Sequence, residues 1–250
     1  QSPTLAECDT PCTSTALVKV LPPANYSSNN FGRSIAVAGD TMVVGAPSED
    51  SSAGLSSGAA YAFSRQSSGM WVQTQRIVAS DEAQRSYFSS DIAFDGNTLL
   101  IGSRGAGGYT GAAYIFTLQA GLWVETQKLT AADEAKNDDT AKDGQFGISV
   151  AVHGDMLVVG ASHDDDAQGS AYIFSLEEGR TETRTWEQSA KLVAWDGAAY
   201  ENFGDSVAVS PGLVAVGAPY HEEGGSNAGA VYMYTLDTLG SWTQAQKLQA

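Results

Sequence analysis

The residues with the clearest capacity for chemistry are carboxylates, and they are densest in the stretch His163-Asp164-Asp165-Asp166. Calcium takes six to eight oxygen ligands at flexible geometry, so this stretch is a candidate Ca2+ site. Three adjacent aspartates cannot all point at one ion. Backbone carbonyls and Asp138, Asp139 or Asp143 would have to supply the remaining ligands. A solvated acidic turn is the alternative interpretation.

Signs of catalysis are weak in this sequence. The three histidines, His153, His163 and His221, occupy different places along the chain, and neither a G-x-S-x-G nor an H-E-x-x-H motif occurs. Acidic pairs in the loops are compatible with a glycosidase, but no single acid and base stand out. We therefore expect a binding or structural protein rather than an enzyme.

Two features of the first thirty residues indicate an extracellular protein. Cys8 and Cys12 are the only cysteines, and we expect them to form a short disulfide in an oxidising compartment; two free thiols are the alternative. Asn25-Tyr26-Ser27 is an acceptor sequence for N-glycosylation. No run approaches the roughly 20 apolar residues of a membrane span, which argues against membrane insertion. The net charge of −16 disfavours nucleic acid as a partner.

Four copies of one unit fill most of the chain. They begin at Phe31, Phe88, Phe146 and Phe203, at steps of 57, 58 and 57 residues. The units open with FGRSIAVAGD, FSSDIAFDGN, FGISVAVHGD and FGDSVAVSPG, continue through GAAYAF, GAAYIF, GSAYIF and GAVYMY, and close on a tryptophan-led strand. We divide the chain into an N-terminal segment, 1–30, and units 31–87, 88–145, 146–202 and 203–250.

Each unit predicts four short strands, a to d. A two-residue turn such as Gly39-Asp40 separates strands a and b, as in a tight hairpin. Strand b is a continuous apolar run that predicts burial on both faces, and it ends in small residues where neighbouring sheets would crowd together. Strand d begins at a tryptophan and is the most polar. Residues 16–21 look like a further strand d. A sheet with two apolar faces must be covered on both sides, and stacking copies around an axis achieves this. The fold class is therefore an all-β propeller of four-stranded antiparallel blades.

The units resemble the FG-GAP repeat family, which includes the propeller heads of integrin α chains, and the resemblance covers residues 31–250. It is closest to the secreted microbial and algal type. The resemblance implies extracellular recognition by a propeller of about seven blades, four of them visible here. Integrin calcium sites lie in a long a–b loop. That loop has two residues here, so the resemblance does not carry over that site.

The b–c loops and the d–a connectors are expected at one end of the blades. They hold sixteen of the 29 acidic residues against four basic ones, so this end should carry most of the negative field. We predict a partner-binding face that includes Glu49, Asp50, Asp133, Glu134, His163, Glu222 and Glu223. Acidic loops that serve solubility alone are the competing interpretation.

The sequence thus favours an extracellular binding or adhesion module for a protein or glycan ligand. The first alternative is a structural subunit whose blades join other chains of an extracellular assembly or filament. A carbohydrate-active enzyme is the less favoured alternative. The recurrent tryptophans suggest sugar stacking, but their fixed place in every unit favours blade packing.

Overall fold

The computed structural model describes residues 29–133, 144–178 and 184–249. Strands account for nearly all of its regular structure. The strands are β1 (Ile35–Ala38), β2 (Thr41–Ala46), β3 (Ala59–Arg65), β4 (Trp71–Ile77), β5 (Phe88–Asp95), β6 (Thr98–Ser103), β7 (Ala112–Gln119), β8 (Leu122–Leu129), β9 (Ser149–His153), β10 (Met156–Ala161), β11 (Ser170–Glu178), β12 (Arg184–Leu192), β13 (Ser206–Ser210), β14 (Leu213–Ala218), β15 (Ala230–Leu236) and β16 (Trp242–Leu248). The predicted strand at residues 16–21 lies outside the described residues.

The strands form four separate four-stranded antiparallel sheets, each made of strands consecutive in the chain. This confirms the all-β class and the four blades. Within every blade the register between strands c and d shifts once, as between Ala62 and Phe63 in the first blade. A two-residue turn led by Gly39, Gly96 or Gly154, each at positive φ, joins strands a and b in the first three blades. The strand content, turns and bulges therefore repeat with the sequence.

Apolar packing between blades forms the core. One buried cluster joins the first and second blades, another the second and third, and another the third and fourth. Successive a strands, β1, β5, β9 and β13, contact one another, so they lie innermost and the d strands lie outermost. The central strand β10 is buried on both faces, whereas β14 of the fourth blade is only alternately buried. One face of the fourth blade is thus left open among the described residues.

The start of each unit, Phe-Gly in three units and Phe88-Ser89 in the second, is the joint between blades. The Phe146 ring packs on Tyr172 and Phe174 of its own blade, with ring centroids 5.4 and 6.1 Å apart. Its backbone N–H donates to the Thr110 carbonyl of the preceding blade at 3.0 Å. A β-carbon on Gly102 would lie 2.0 Å from the Gly147 carbonyl oxygen, so only glycine fits there. The crowding predicted at the end of strand b is confirmed.

The one helical element of the described chain is a single turn, α1 (Asp164–Ala167). The sequence analysis did not predict it. Asp165 and Asp166 adopt left-handed conformations in it, with φ of 49° and 57°. Gly107 and Gly108 adopt the same conformation in the matching loop of the second blade, at φ of 63° and 78°. The second and third blades therefore share this left-handed turn, with glycines in one and aspartates in the other.

Candidate functional site

The b–c loops and the d–a connectors lie at one end of the blades, which we call the connector end. Gly58, at the end of the first b–c loop, forms a parallel bridge with Phe88, at the end of the following connector. Gly111 and Phe146 form the second such bridge, and Gly169 and Phe203 the third. The predicted grouping of these segments is thus observed, and the bridges join adjacent blades.

A charged triad recurs at the connector end and links each blade to the next. In each triad a connector aspartate of one blade reaches a strand c tyrosine and a strand d lysine of the following blade. Asp81 accepts hydrogen bonds from Tyr114 Oη at 2.7 Å and Lys128 Nζ at 2.6 Å. Asp133 binds Tyr172 at 3.1 Å and Lys191 at 2.7 Å, and Asp196 binds Tyr232 at 3.0 Å and Lys247 at 2.6 Å. These are the inter-blade triads.

The triads change the titration of their aspartates. Partial burial alone would raise the pKa of Asp133, but the hydrogen bonds from Lys191 and Tyr172 and the lysine charge lower that pKa below its ordinary value. The pKa of Asp81 and that of Asp196 are lowered in the same way by Lys128 and Lys247. Each aspartate is therefore held as a charged partner of the next blade.

A second carboxylate joins this arrangement in the first blade. Glu49 is fully buried and receives a hydrogen bond from Tyr61 Oη at 2.5 Å. Arg76 contacts the same carboxylate, with Nε and Nη2 each 2.8 Å from Oε1. Burial strongly raises the pKa of Tyr61, and the neighbouring Glu49 charge adds to the effect. Glu49, predicted as part of a partner-binding face, is thus enclosed within its own blade.

The candidate calcium residues surround a lysine in the third blade. The Lys191 ammonium lies 2.7 Å from Asp133, 2.8 Å from Asp164 and 3.4 Å from Asp165. Asp164 is buried and also accepts a hydrogen bond from Tyr172 at 2.8 Å, while Asp166 is exposed. A calcium ion at Asp164 would have to displace the ammonium. Asp138 and Asp139, proposed to complete the site, lie outside the described residues.

The remaining predicted face residues are spread along the connector end. Asp50 is exposed and caps the Ser56 N–H at 2.8 Å, and His163 is half-buried against Gln145 at 2.6 Å. Glu222 is exposed, and Glu223 is paired with Lys247. Glu134, Cys8, Cys12 and Asn25 lie outside the described residues.

Sequence reasoning missed several residues of this end. His221 was treated as unrelated to the repeat, yet its carbonyl accepts the N–H of a loop-ending glycine at 2.9 Å, as do those of Glu49 and Asp164. Asp196 and Glu201 were counted only as loop charge. The sequence signal for the inter-blade triads is an aspartate five residues after the basic residue of strand d, as in Lys191 and Asp196.

Exposed aromatic side chains lie at the connector end of the third and fourth blades, around a cavity lined by Trp195, Glu201 and His221. Trp195 and Tyr200 are each 75% exposed, and Tyr220 is 48% exposed. The Tyr220 N–H donates to the Glu201 carbonyl at 3.3 Å, which brings the fourth b–c loop against the connector. The tryptophans that open the strands d are different, since Trp123 and Trp186 are buried between blades. We call Trp195, Tyr200 and Tyr220 the aromatic patch.

Comparison with known families identifies the repeat. A family model described as FG-GAP repeat matches residues 16–63, 71–116, 123–174 and 186–234, well over half of the chain. The chain therefore belongs to the FG-GAP repeat family, and its four sheets are blades of the β-propeller kind. A search of curated proteins found no match. None of the helices in the described segments is long and apolar enough to cross a membrane.

Proposed function

We propose that this chain is a non-catalytic extracellular binding module that recognises a glycan or protein partner through the connector end. The aromatic patch carries this proposal. Trp195 stands where the two earlier connectors have Ser80 and Ala132, so blade packing does not require an indole there. Exposed Trp and Tyr rings bury large areas against a partner at low entropic cost, and they stack on the apolar faces of sugars.

The charges beside the patch define the partner further. Glu222 and Glu223 are exposed next to it, so hydroxyl-rich glycans and basic segments of proteins would both be favoured. Elsewhere at this end the triads and Arg76 neutralise several of the acids, including Asp133 and Glu49. Recognition by general negative charge is therefore weaker support than recognition by the patch.

A glycan array probed with the full chain tests this proposal. We expect bound glycans, and a loss of at least tenfold in affinity for Trp195→Ala and for Tyr200→Ala/Tyr220→Ala. The matched control is Leu239→Ala, because Leu239 is 90% exposed in a turn at the opposite end. Equal losses in the control and the patch variants would contradict the patch as the contact surface.

A structural subunit remains a second candidate because of the open face of the fourth blade. A cavity of about 460 Å³ there is lined by Gly217, Gly229 and Ser206, together with Val231 and Leu248. The matching residues of the third blade, Gly160, Gly169 and Ser149, receive the next Phe203-Gly204 pair. A Phe-Gly-led blade of another chain would fit this cavity.

Sedimentation of the full chain over a concentration series tests the second candidate. Association through the open face should be lost in Val231→Glu/Leu248→Lys and retained in Leu239→Glu. A monomer at all concentrations that still binds glycans would leave recognition as the function. No glycan binding on the array, together with filaments of the full chain, would favour a structural subunit.

A further inference from the structure

The fourth blade differs from the others at one buried position of the connector end. The first and third blades have the carboxylates Glu49 and Asp164 there, each bonded to the strand c tyrosine. The fourth blade has His221, only 3% exposed, beside Tyr232 at 3.4 Å. The fourth blade therefore carries an imidazole where the first and third blades carry a carboxylate.

The His221 ring is oriented by a second buried carboxylate. Its Nδ1 lies 2.8 Å from Glu201 Oε1. Glu201 is itself 6% exposed, and its other oxygen accepts the Ala198 N–H at 2.9 Å. With Nδ1 donating to Glu201, Nε2 presents its lone pair. A histidine whose far nitrogen is held by a carboxylate is the usual support for a metal-binding imidazole.

Two more carboxylates lie beside this ring. His221 Nε2 is buried, and it has no hydrogen-bond partner within the described part of the chain. One imidazole nitrogen of His221 and one oxygen each of Asp196 and Glu223 lie within 4.8 Å of one another, and Nε2 is 3.6 Å from Glu223 Oε2. Tetrahedral bonds of about 2.0–2.1 Å place neighbouring ligands about 3.4 Å apart. The group therefore needs only small side-chain shifts to surround one ion.

We propose that Asp196, His221 and Glu223 bind a divalent transition metal ion, with Glu201 as the residue that positions the imidazole. One nitrogen and two carboxylate oxygens suit zinc, and a solvent molecule would supply the fourth ligand. These side chains line a cavity of about 550 Å³ next to Trp195, which gives an ion room to enter. The flexible, exposed Glu223 can close over it.

Lys247 competes for the same carboxylates. Its ammonium is paired with both Asp196 and Glu223, so a metal ion must displace it. Lys247 lies on β16, the outer strand of the blade, with its side chain 11% exposed. The third blade has no comparable site, because Lys191 there meets three carboxylates and no imidazole. Removing Lys247 should therefore tighten metal binding.

The test is calorimetric titration of the chelator-treated full chain with ZnCl2, with the absorption spectrum of the Co2+ form as a second readout. We expect one ion per chain and an intense tetrahedral cobalt band. Affinity should fall at least tenfold in His221→Gln and in Glu223→Gln, and rise about tenfold in Lys247→Met. Glu223 is exposed, so its variant separates loss of ligand from loss of fold.

Two controls sharpen the outcome. His163→Gln should bind zinc as the unaltered chain does, because His163 is not among these ligands. A Cys8→Ser/Cys12→Ser variant should also bind normally. The proposal is overturned by zinc binding that survives His221→Gln but is lost with the cysteines. It is equally overturned if neither the unaltered chain nor Lys247→Met binds zinc.

Discussion

Replacing Arg76 with methionine should destabilise the first blade more than its surface exposure suggests. The substitution keeps the apolar stem but leaves the fully buried Glu49 carboxylate with Tyr61 as its remaining partner. Removing one partner of a buried ion pair costs about 3–5 kcal/mol. Because the Arg76 side chain is 35% exposed, we expect the lower end, about 3 kcal/mol. At about 2–4 °C per kcal/mol, the melting temperature should fall by about 6–12 °C.

Chemical denaturation at pH 7 measures this effect, with Arg65→Met as the matched control. Arg65 binds Asp40 at a similar 2.8 Å, but both side chains are more than half exposed, so its loss should cost below about 1 kcal/mol. Adding Glu49→Gln to Arg76→Met should recover part of the stability, because no buried charge then remains. Equal costs at Arg76 and Arg65, or no recovery in the double variant, would refute the reasoning.

Four further substitutions probe the joints and loops by denaturant titration. Gly102→Ala should cost about 3 kcal/mol, because the new β-carbon meets the rigid Gly147 carbonyl at 2.0 Å. In Gly217→Ala the clash is with the movable Ser206 hydroxyl, so a cost similar to that of Gly102→Ala would contradict this. The pKa of Asp133 is depressed in the folded state, so this aspartate stabilises the fold well above pH 4 and stops doing so as the pH falls below it. Asp133→Asn should therefore lose less stability on acidification than the unaltered chain does. If stability falls with decreasing pH in the same way in Asp133→Asn and the unaltered chain, the triad does not have this role. Asp166→Gly should raise stability by about 0.5 kcal/mol, since glycine relieves the left-handed backbone, and any loss would argue that the aspartate is held by its side chain.

The fold could be predicted from sequence because the same local pattern is written four times. Strand b of the first unit, predicted as a continuous apolar run, is Thr41–Ala46, and the predicted Gly39-Asp40 turn lies between strands a and b. Periodicity and turn chemistry act within a few residues, so each copy reports them independently. The left-handed turn at Asp164–Ala167 was not predictable in this way, because aspartate in a sequence is a weaker signal of positive φ than glycine.

The candidate site was less accessible because its bonds cross from one blade to the next. Asp133 was grouped with surface acids, although it binds Lys191, 58 residues later. Formal charge counts every carboxylate alike, and only the three-dimensional pairing separates the neutralised Glu49 from the exposed Glu222. Trp195 is the one tryptophan of the sequence that does not open a strand d, but its exposure is a property of the packed blades.

The Phe-Gly joint has a consequence for how such chains vary in length. The second, third and fourth blades each place the Phe that opens their unit against a glycine at the end of the preceding b–c loop, so the contact has a head and a tail. A head-to-tail contact has no built-in end: the rotation per blade alone decides whether copies close into a ring or continue as a spiral. Duplicating one unit therefore adds both sides of the inter-blade contact together, and the number of blades can change without a new kind of interface.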